Sequence, residues 1–266
     1  MKLILTMFLI LSGITQYAPQ ATAQRNPSQP ARKPRVLRKP RSAPPKVPKG
    51  LTPISGRRRG MGSRDGGNCP AVEIPLTAIA PFQEQRKARK QSDKSSVGIV
   101  GGLTTLERPS FMFYLPYTQD LAGASAEFSL QDDRGTDVFR QQTALPAKSG
   151  IVSVSLPKTV KSLEIGQNYR WYFKVRCSAK TGRPPIYVNG YIQRINRDPR
   201  INKQLQAAAN SSQRMEIYKQ ADLWFDAVNM LAQQRQSSKR TSMRQDWQSL
   251  LQSLNLTDIT NQNFVN

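Results

Sequence analysis

The chain has no histidine, two cysteines, and 17 acidic residues against 40 basic ones in a length of 266. Each scarcity removes a class of chemistry. Without an imidazole there is no Ser–His–Asp triad, no Cys–His pair and no histidine-bearing metal site. Two distant cysteines, Cys69 and Cys177, do not make a zinc centre. After the N-terminal run, no stretch approaches the ~20 apolar residues a membrane span needs. Paired carboxylates remain possible. Asp132, Asp133 and Asp137 crowd one turn with Gly135 and loosely resemble a calcium loop. Their spacing fits no calcium motif and the distal Glu ligand is missing, so a hairpin turn explains them better. Glu107 and Glu127 stand alone, and Asp226 lies between aromatic residues of a helical pattern; a salt bridge to the basic surface is the expected role of each. A two-carboxylate hydrolase would need a pair of acids ~5–10 Å apart in one cleft, and nothing in the sequence points to one. The chain is therefore expected to be non-enzymatic and free of cofactors.

What is present begins with an export signal. Met1-Lys2, the apolar run Leu3 to Ile14 and Ala21-Thr22-Ala23 form the charged, apolar and cleavage regions of a signal peptide over residues 1–23. The mature chain is expected in the periplasm or outside the cell, with no transmembrane segment. In that compartment Cys69 and Cys177 are expected to form one disulfide.

The formal net charge of +23 is unevenly spread. From Arg25 to Arg64 there are thirteen Lys or Arg and no acid. This Pro-rich leader, 24–64, has too little apolar surface to offset its ordering entropy and is expected to be disordered, with polyproline II character. Arg32, Lys33, Arg35, Arg38, Lys39, Arg41, Arg57, Arg58 and Arg59 are expected to make it a tether for an anionic envelope component, with a solvated spacer as the alternative. That component is a lipid headgroup, an acidic polysaccharide or the acidic patch of an envelope protein. Export argues against nucleic acid.

Downstream, apolar residues recur at every second position. Tyr169, Trp171, Phe173, Val175 and Cys177 alternate with Arg170, Tyr172, Lys174 and Arg176, which predicts a strand with an apolar inner row and a basic outer one. Leu163, Gly166 and Tyr169 have the spacing of a tyrosine corner. Further strands are predicted at Val97–Val100, Phe111–Leu115, Ala126–Gln131, Thr136–Arg140, Ile151–Leu156 and Ile186–Gln193. Turn signals at Gly101-Gly102, Asp133-Arg134-Gly135, Lys148-Ser149-Gly150 and Thr181-Gly182 punctuate them. About seven short strands over 65–197 suggest an immunoglobulin-like or fibronectin-III-like β-sandwich in a mainly β fold. After Pro199 the period changes. Ile217, Ala221, Trp224, Phe225, Val228, Leu231 and Ala232 follow one continuous helical stripe, and Met243, Trp247, Leu250, Leu251 and Leu254 follow another. A helical hairpin over 198–256, packed on the sandwich, is expected, with a shorter helix near Lys203–Ala209 and a frayed tail at 257–266.

Arg170, Tyr172, Lys174 and Arg176, with Tyr187 and Tyr191, mix cations and rings on one sheet face, a combination suited to sugars or acidic polymers. Burial of this face under the helical hairpin is the favoured alternative.

The strings GRRRGMGSR, LTAIAP, TTLERPSFMFYLPY, AEFSLQDD, VSVSLP, LEIGQNYRWYFKVRC, GYIQRI, LWFDAV and DWQSLLQSLNL resemble the cyanobacterial family catalogued as domain of unknown function 928. The resemblance runs over about residues 56 to 256. It implies an exported protein and carries no catalytic residues. The long basic leader is not assumed to be shared. The combined expectation is an envelope adaptor, with a carbohydrate-binding module using the basic-aromatic face as the alternative.

Overall fold

The computed structural model describes residues 55–60, 69–84, 97–178, 184–237 and 241–265. The signal segment and the leader ahead of residue 55, with Arg32, Lys33, Arg35, Arg38, Lys39 and Arg41, lie outside the described residues. So do 61–68 and the turn at Thr181-Gly182.

The described chain is mainly β, with two sheets followed by four helices. All seven anticipated strands form: β4 (Val97–Thr104), β5 (Ser110–Leu115), β6 (Ser125–Gln131), β7 (Asp137–Thr143), β8 (Gly150–Ser155), β9 (Asn168–Arg176) and β10 (Ile186–Arg194). Three short strands join them: β1 (Ser55–Arg57), β2 (Thr77–Ala78) and β3 (Phe82–Glu84). The larger sheet runs β3-β4-β1-β10-β9-β6-β7 and the smaller one β2-β5-β8. Pairing is antiparallel except where β4 meets β10. These two strands fork, and β1 fills the opening: Arg57 pairs with both Asn189 and Val97. Gly101, expected to end a strand, lies inside β4. A Cβ there would sit 2.0 Å from the Tyr191 carbonyl oxygen, and its φ of +130° suits only glycine.

The β9 row packs as its alternation requires. Trp171, Phe173 and Val175 face Phe111 and Phe113 of the other sheet, with Phe113 stacked on Phe173 at 4.3 Å. The tyrosine corner forms: the Tyr169 hydroxyl accepts from the Glu164 amide at 2.9 Å, and Gly166 takes φ +81° in the crossover. Cys69 and Cys177 are bridged, closing a separation of 108 residues onto the end of β9.

The helical hairpin is an assembly of α1 (Pro199–Ala207), α2 (Ser211–Gln220), α3 (Trp224–Ser237) and α4 (Thr241–Ser253). The continuous stripe is broken at Asp222, whose φ of 56° ends α2 before α3 begins. Met112, Tyr114 and Ile151 point away from the sandwich interior and form a second core with Trp224, Leu231, Trp247 and Leu250. The helices therefore cover the outer surface of the three-stranded sheet.

Two expectations are corrected. The tail after Leu256 is not frayed: Thr257–Ile259 forms a 3-10 turn, Ile259 is fully buried, and the Val265 amide donates to the Ile151 carbonyl at 2.9 Å. The leader does not run unstructured to 64, because 55–57 is a sheet strand. Arg58 is buried and donates to the Leu254 carbonyl at 2.7 Å, at the end of α4. Arg59 pairs with Asp258 at 2.6 Å.

Candidate functional site

Cross-strand partners share a sheet face, so register defines what the seven-stranded sheet turns outward. Lys174, Tyr172 and Arg170 of β9 stand opposite Tyr187, Asn189 and Tyr191 of β10. On the other side, Arg176, Lys174, Tyr172 and Arg170 stand opposite Ser125, Glu127, Ser129 and Gln131 of β6. Arg57 joins this surface through Asn189, and Arg140 through Ser129. The expected row is thus assembled on one face, with Arg57, Glu127 and Arg140 added to it.

The helices pack mainly beyond the other sheet and meet the seven-stranded one at β4, through α3, so they do not lie over the β9 row. The sequence held a signal for this. Residues 111–115 of β5 are apolar at every position, FMFYL, whereas β9 alternates. A strand apolar on both sides is covered on both sides, and β5 is the strand beneath the helices. Tyr191 does not belong to a contact platform. It is 4% exposed, and burial pushes its hydroxyl up to about 12. Tyr172 and Tyr187 are half-buried and Arg176 is exposed.

Each remaining ring holds a cation. The Arg57 guanidinium lies 4.8 Å above the Tyr187 ring, and the Lys174 ammonium 5.6 Å from the Tyr172 centroid. Arg170 donates to the Tyr172 hydroxyl at 3.3 Å. Glu127 accepts from Arg140 at 2.5 Å and from Lys174 at 3.4 Å. Arg140 also donates to Asp137 at 2.7 Å, which holds that carboxyl below the ordinary aspartate range. Among the described residues no carboxylate pairs with Arg57, Arg170 or Arg176. Of these three, Arg176 lines a depression of about 410 Å³ with Glu127, Arg140, Gln142 and Lys174, while Arg170 lines a separate one of about 440 Å³ with Asp132, Asp133 and Arg134 at the other end of β9.

Asp132, Glu107 and Asp226 have structural partners. The Asp132 side chain accepts from the amides of Arg134 and Thr136, and Gly135 takes φ +84°, the geometry of a hairpin turn. Glu107 pairs with Arg194 at 2.8 Å. Asp226 is buried, accepting from the Thr104 hydroxyl at 2.8 Å and the Thr105 hydroxyl at 2.5 Å, with Arg197 at 3.7 Å. Burial pushes its carboxyl up, against the pull of the Thr105 and Thr104 hydrogen bonds.

A family model described as Domain of Unknown Function (DUF928) matches residues 59–264. The chain belongs to this family. The DUF928 match opens at Arg59, the partner of Asp258, and closes at Phe264, which bridges to Ile151. Both sheets and all four helices fall within that span, apart from β1. No curated protein and no solved structure matches the chain. The DUF928 description names no activity, so none passes to these residues.

Proposed function

We propose that this protein is an exported, non-enzymatic interaction module of the cell envelope, in a cyanobacterial cell, held at an anionic envelope component. The observation that carries the proposal is that Arg57, Arg170 and Arg176, on the open sheet face that β1 joins, have no carboxylate partner among the described residues. Residues 24–54 add nine Lys or Arg and no acid. Such a chain raises the local concentration of an anionic surface by long-range attraction that salt screens. The disulfide fits an oxidising compartment. Within this proposal the fold is an immunoglobulin-like sandwich of fibronectin-III type. The supporting features are the order β7-β6-β9-β10 facing β2-β5-β8 and the tyrosine corner opening β9. A departure is that the second sulfur precedes β2 instead of lying on β5.

The test compares the exported full chain with one lacking 24–54, a cut that leaves β1 in place. Binding to anionic vesicles and to an acidic polysaccharide should be salt-sensitive and largely lost on deletion. Equal binding by the shortened chain removes the leader as the tether.

A further inference from the structure

The depression between β6, β7 and β9 mixes donors and an acceptor in a way that a purely anionic surface does not require. Arg140, Lys174 and Arg176 surround it, and Glu127 projects among them from the neighbouring strand. A carboxylate in that position opposes the approach of a phosphate or sulfate cluster. It suits a ligand that carries negative charge and also hydroxyl hydrogens, because an ionised carboxylate is an acceptor only. Arg176 and Arg170, neither of which has a carboxylate partner among the described residues, supply the complementary charge; Arg170 also donates to the Tyr172 hydroxyl. Guanidinium forks bind planar carboxylates through two parallel hydrogen bonds. Alternate residues of a strand are ~6.6 Å apart, so Arg176, Lys174 and the Tyr172–Arg170 pair form a line of cations along β9 rather than a single pocket. Such a line matches a polymer with recurring charges.

We infer that this face, from the Arg176 depression along β9 to Arg170, is a binding site for an acidic polysaccharide of the uronate type. Uronate carboxylates sit on Arg176 and Arg170, and a sugar hydroxyl donates to Glu127. Cations already occupy positions over Tyr172 and Tyr187, so those rings hold the guanidinium and ammonium groups in place and are not sugar-stacking platforms. A lipid surface fits less well. The only large apolar side chain strongly exposed among the described residues is Ile165, at the turn beside Gly166 and away from this depression, so the face has no residue to insert into a bilayer. The inference rests on the proposed anion-binding role and adds the ligand class and the residues.

The test uses the full exported chain, with its leader unchanged, and polygalacturonate as the probe, with dextran and phosphatidylglycerol vesicles as controls. Arg170→Gln with Arg176→Gln should weaken polygalacturonate binding at least tenfold and leave vesicle binding unaltered. Glu127→Ala discriminates more sharply. It makes the face more positive, so unspecific attraction would increase binding, whereas loss of the hydroxyl acceptor should reduce it several-fold. Tighter binding by Glu127→Ala, or a loss that is equal for vesicles and polygalacturonate, overturns the site. Arg176→Gln alone, at an exposed position, serves as the check that a loss is not a folding defect. If leader deletion abolishes binding while the face variants bind as the parent does, the tether stands and this site falls. The reverse pattern leaves the site and removes the tether.

Discussion

Arg58 and Leu254 are 196 residues apart in sequence, and the guanidinium of the first donates to the carbonyl oxygen of the second at 2.7 Å. A second bond reaches the Asn255 carbonyl at 3.2 Å. The last carbonyls of a helix have no partner within it; those of Leu250, Leu251 and Gln252 accept from the backbone amides that follow α4, and an arginine from the opening strand segment satisfies the next two, Leu254 and Asn255. Arg58 also lies over the Phe82 ring at 5.0 Å, and burial brings its guanidinium down to about 10, with the Arg59 charge adding to the shift. The leader is thereby joined to the sheet through β1 and to the helices through this contact.

Replacing Arg58 by Met should destabilise the chain by about 2–4 kcal/mol, the cost of leaving buried carbonyls unpaired after losing charged hydrogen bonds. Arg58→Lys should recover only part of this, because an ammonium lacks the two-pronged geometry. Urea denaturation of the three proteins measures both effects.

The tyrosine corner isolates a single hydroxyl. Tyr169→Phe keeps the ring in the core and orphans the Glu164 amide, so a loss of about 1 kcal/mol is expected, without change in the denaturant slope. A loss below a few tenths of that size would mean that water replaces the hydroxyl at no cost.

The bridge from Cys69 to Cys177 closes a long loop. Its removal, as Cys69→Ala with Cys177→Ala, should cost about 4–5 kcal/mol in the chain-entropy account. Thermal unfolding with and without reductant should show the same difference in the parent chain and none in the double variant.

Asp226 supplies a pH dependence of known sign. Burial raises its folded value above the ordinary 3.8, with the Thr105 and Thr104 hydrogen bonds pulling the other way. The folded chain then binds this proton more tightly than the unfolded chain does. The contribution is complete below 3.8 and is lost as pH rises through the folded value. Asp226→Asn should remove that slope from a plot of unfolding free energy against pH, on the side above the ordinary 3.8, whatever its effect on absolute stability.

The strands longer than about five residues were legible because alternation is a strong local signal. At two or three residues each, β1, β2 and β3 leave no periodicity to read. β1 exists because β4 and β10 diverge, a tertiary fact. Gly101 reads locally as a turn, yet it serves a close approach between β4 and Tyr191. The stripe from Ile217 to Ala232 reads as one helix, but the break at Asp222 separates α2 from α3, and α2 buries Met215 while Ile217 and Ala221 stay half-buried. For the site, the residues of the basic row were visible from period two. Glu127 reads from sequence only as a salt-bridge partner for the basic surface, and nothing local places Arg140 and Arg57 beside the row, since only register brings the five strands together. The fate of Tyr191 was likewise set by packing.

The account depends most on electrostatic attachment to an anionic polymer. Its most direct test is the affinity of the exported full chain for polygalacturonate as salt is raised from ~0.1 to ~1 M, which shortens the screening length from ~10 to ~3 Å. A steep fall in affinity is the expected result. Affinity that stays constant across that range, or no measurable binding at the low-salt end, would contradict it.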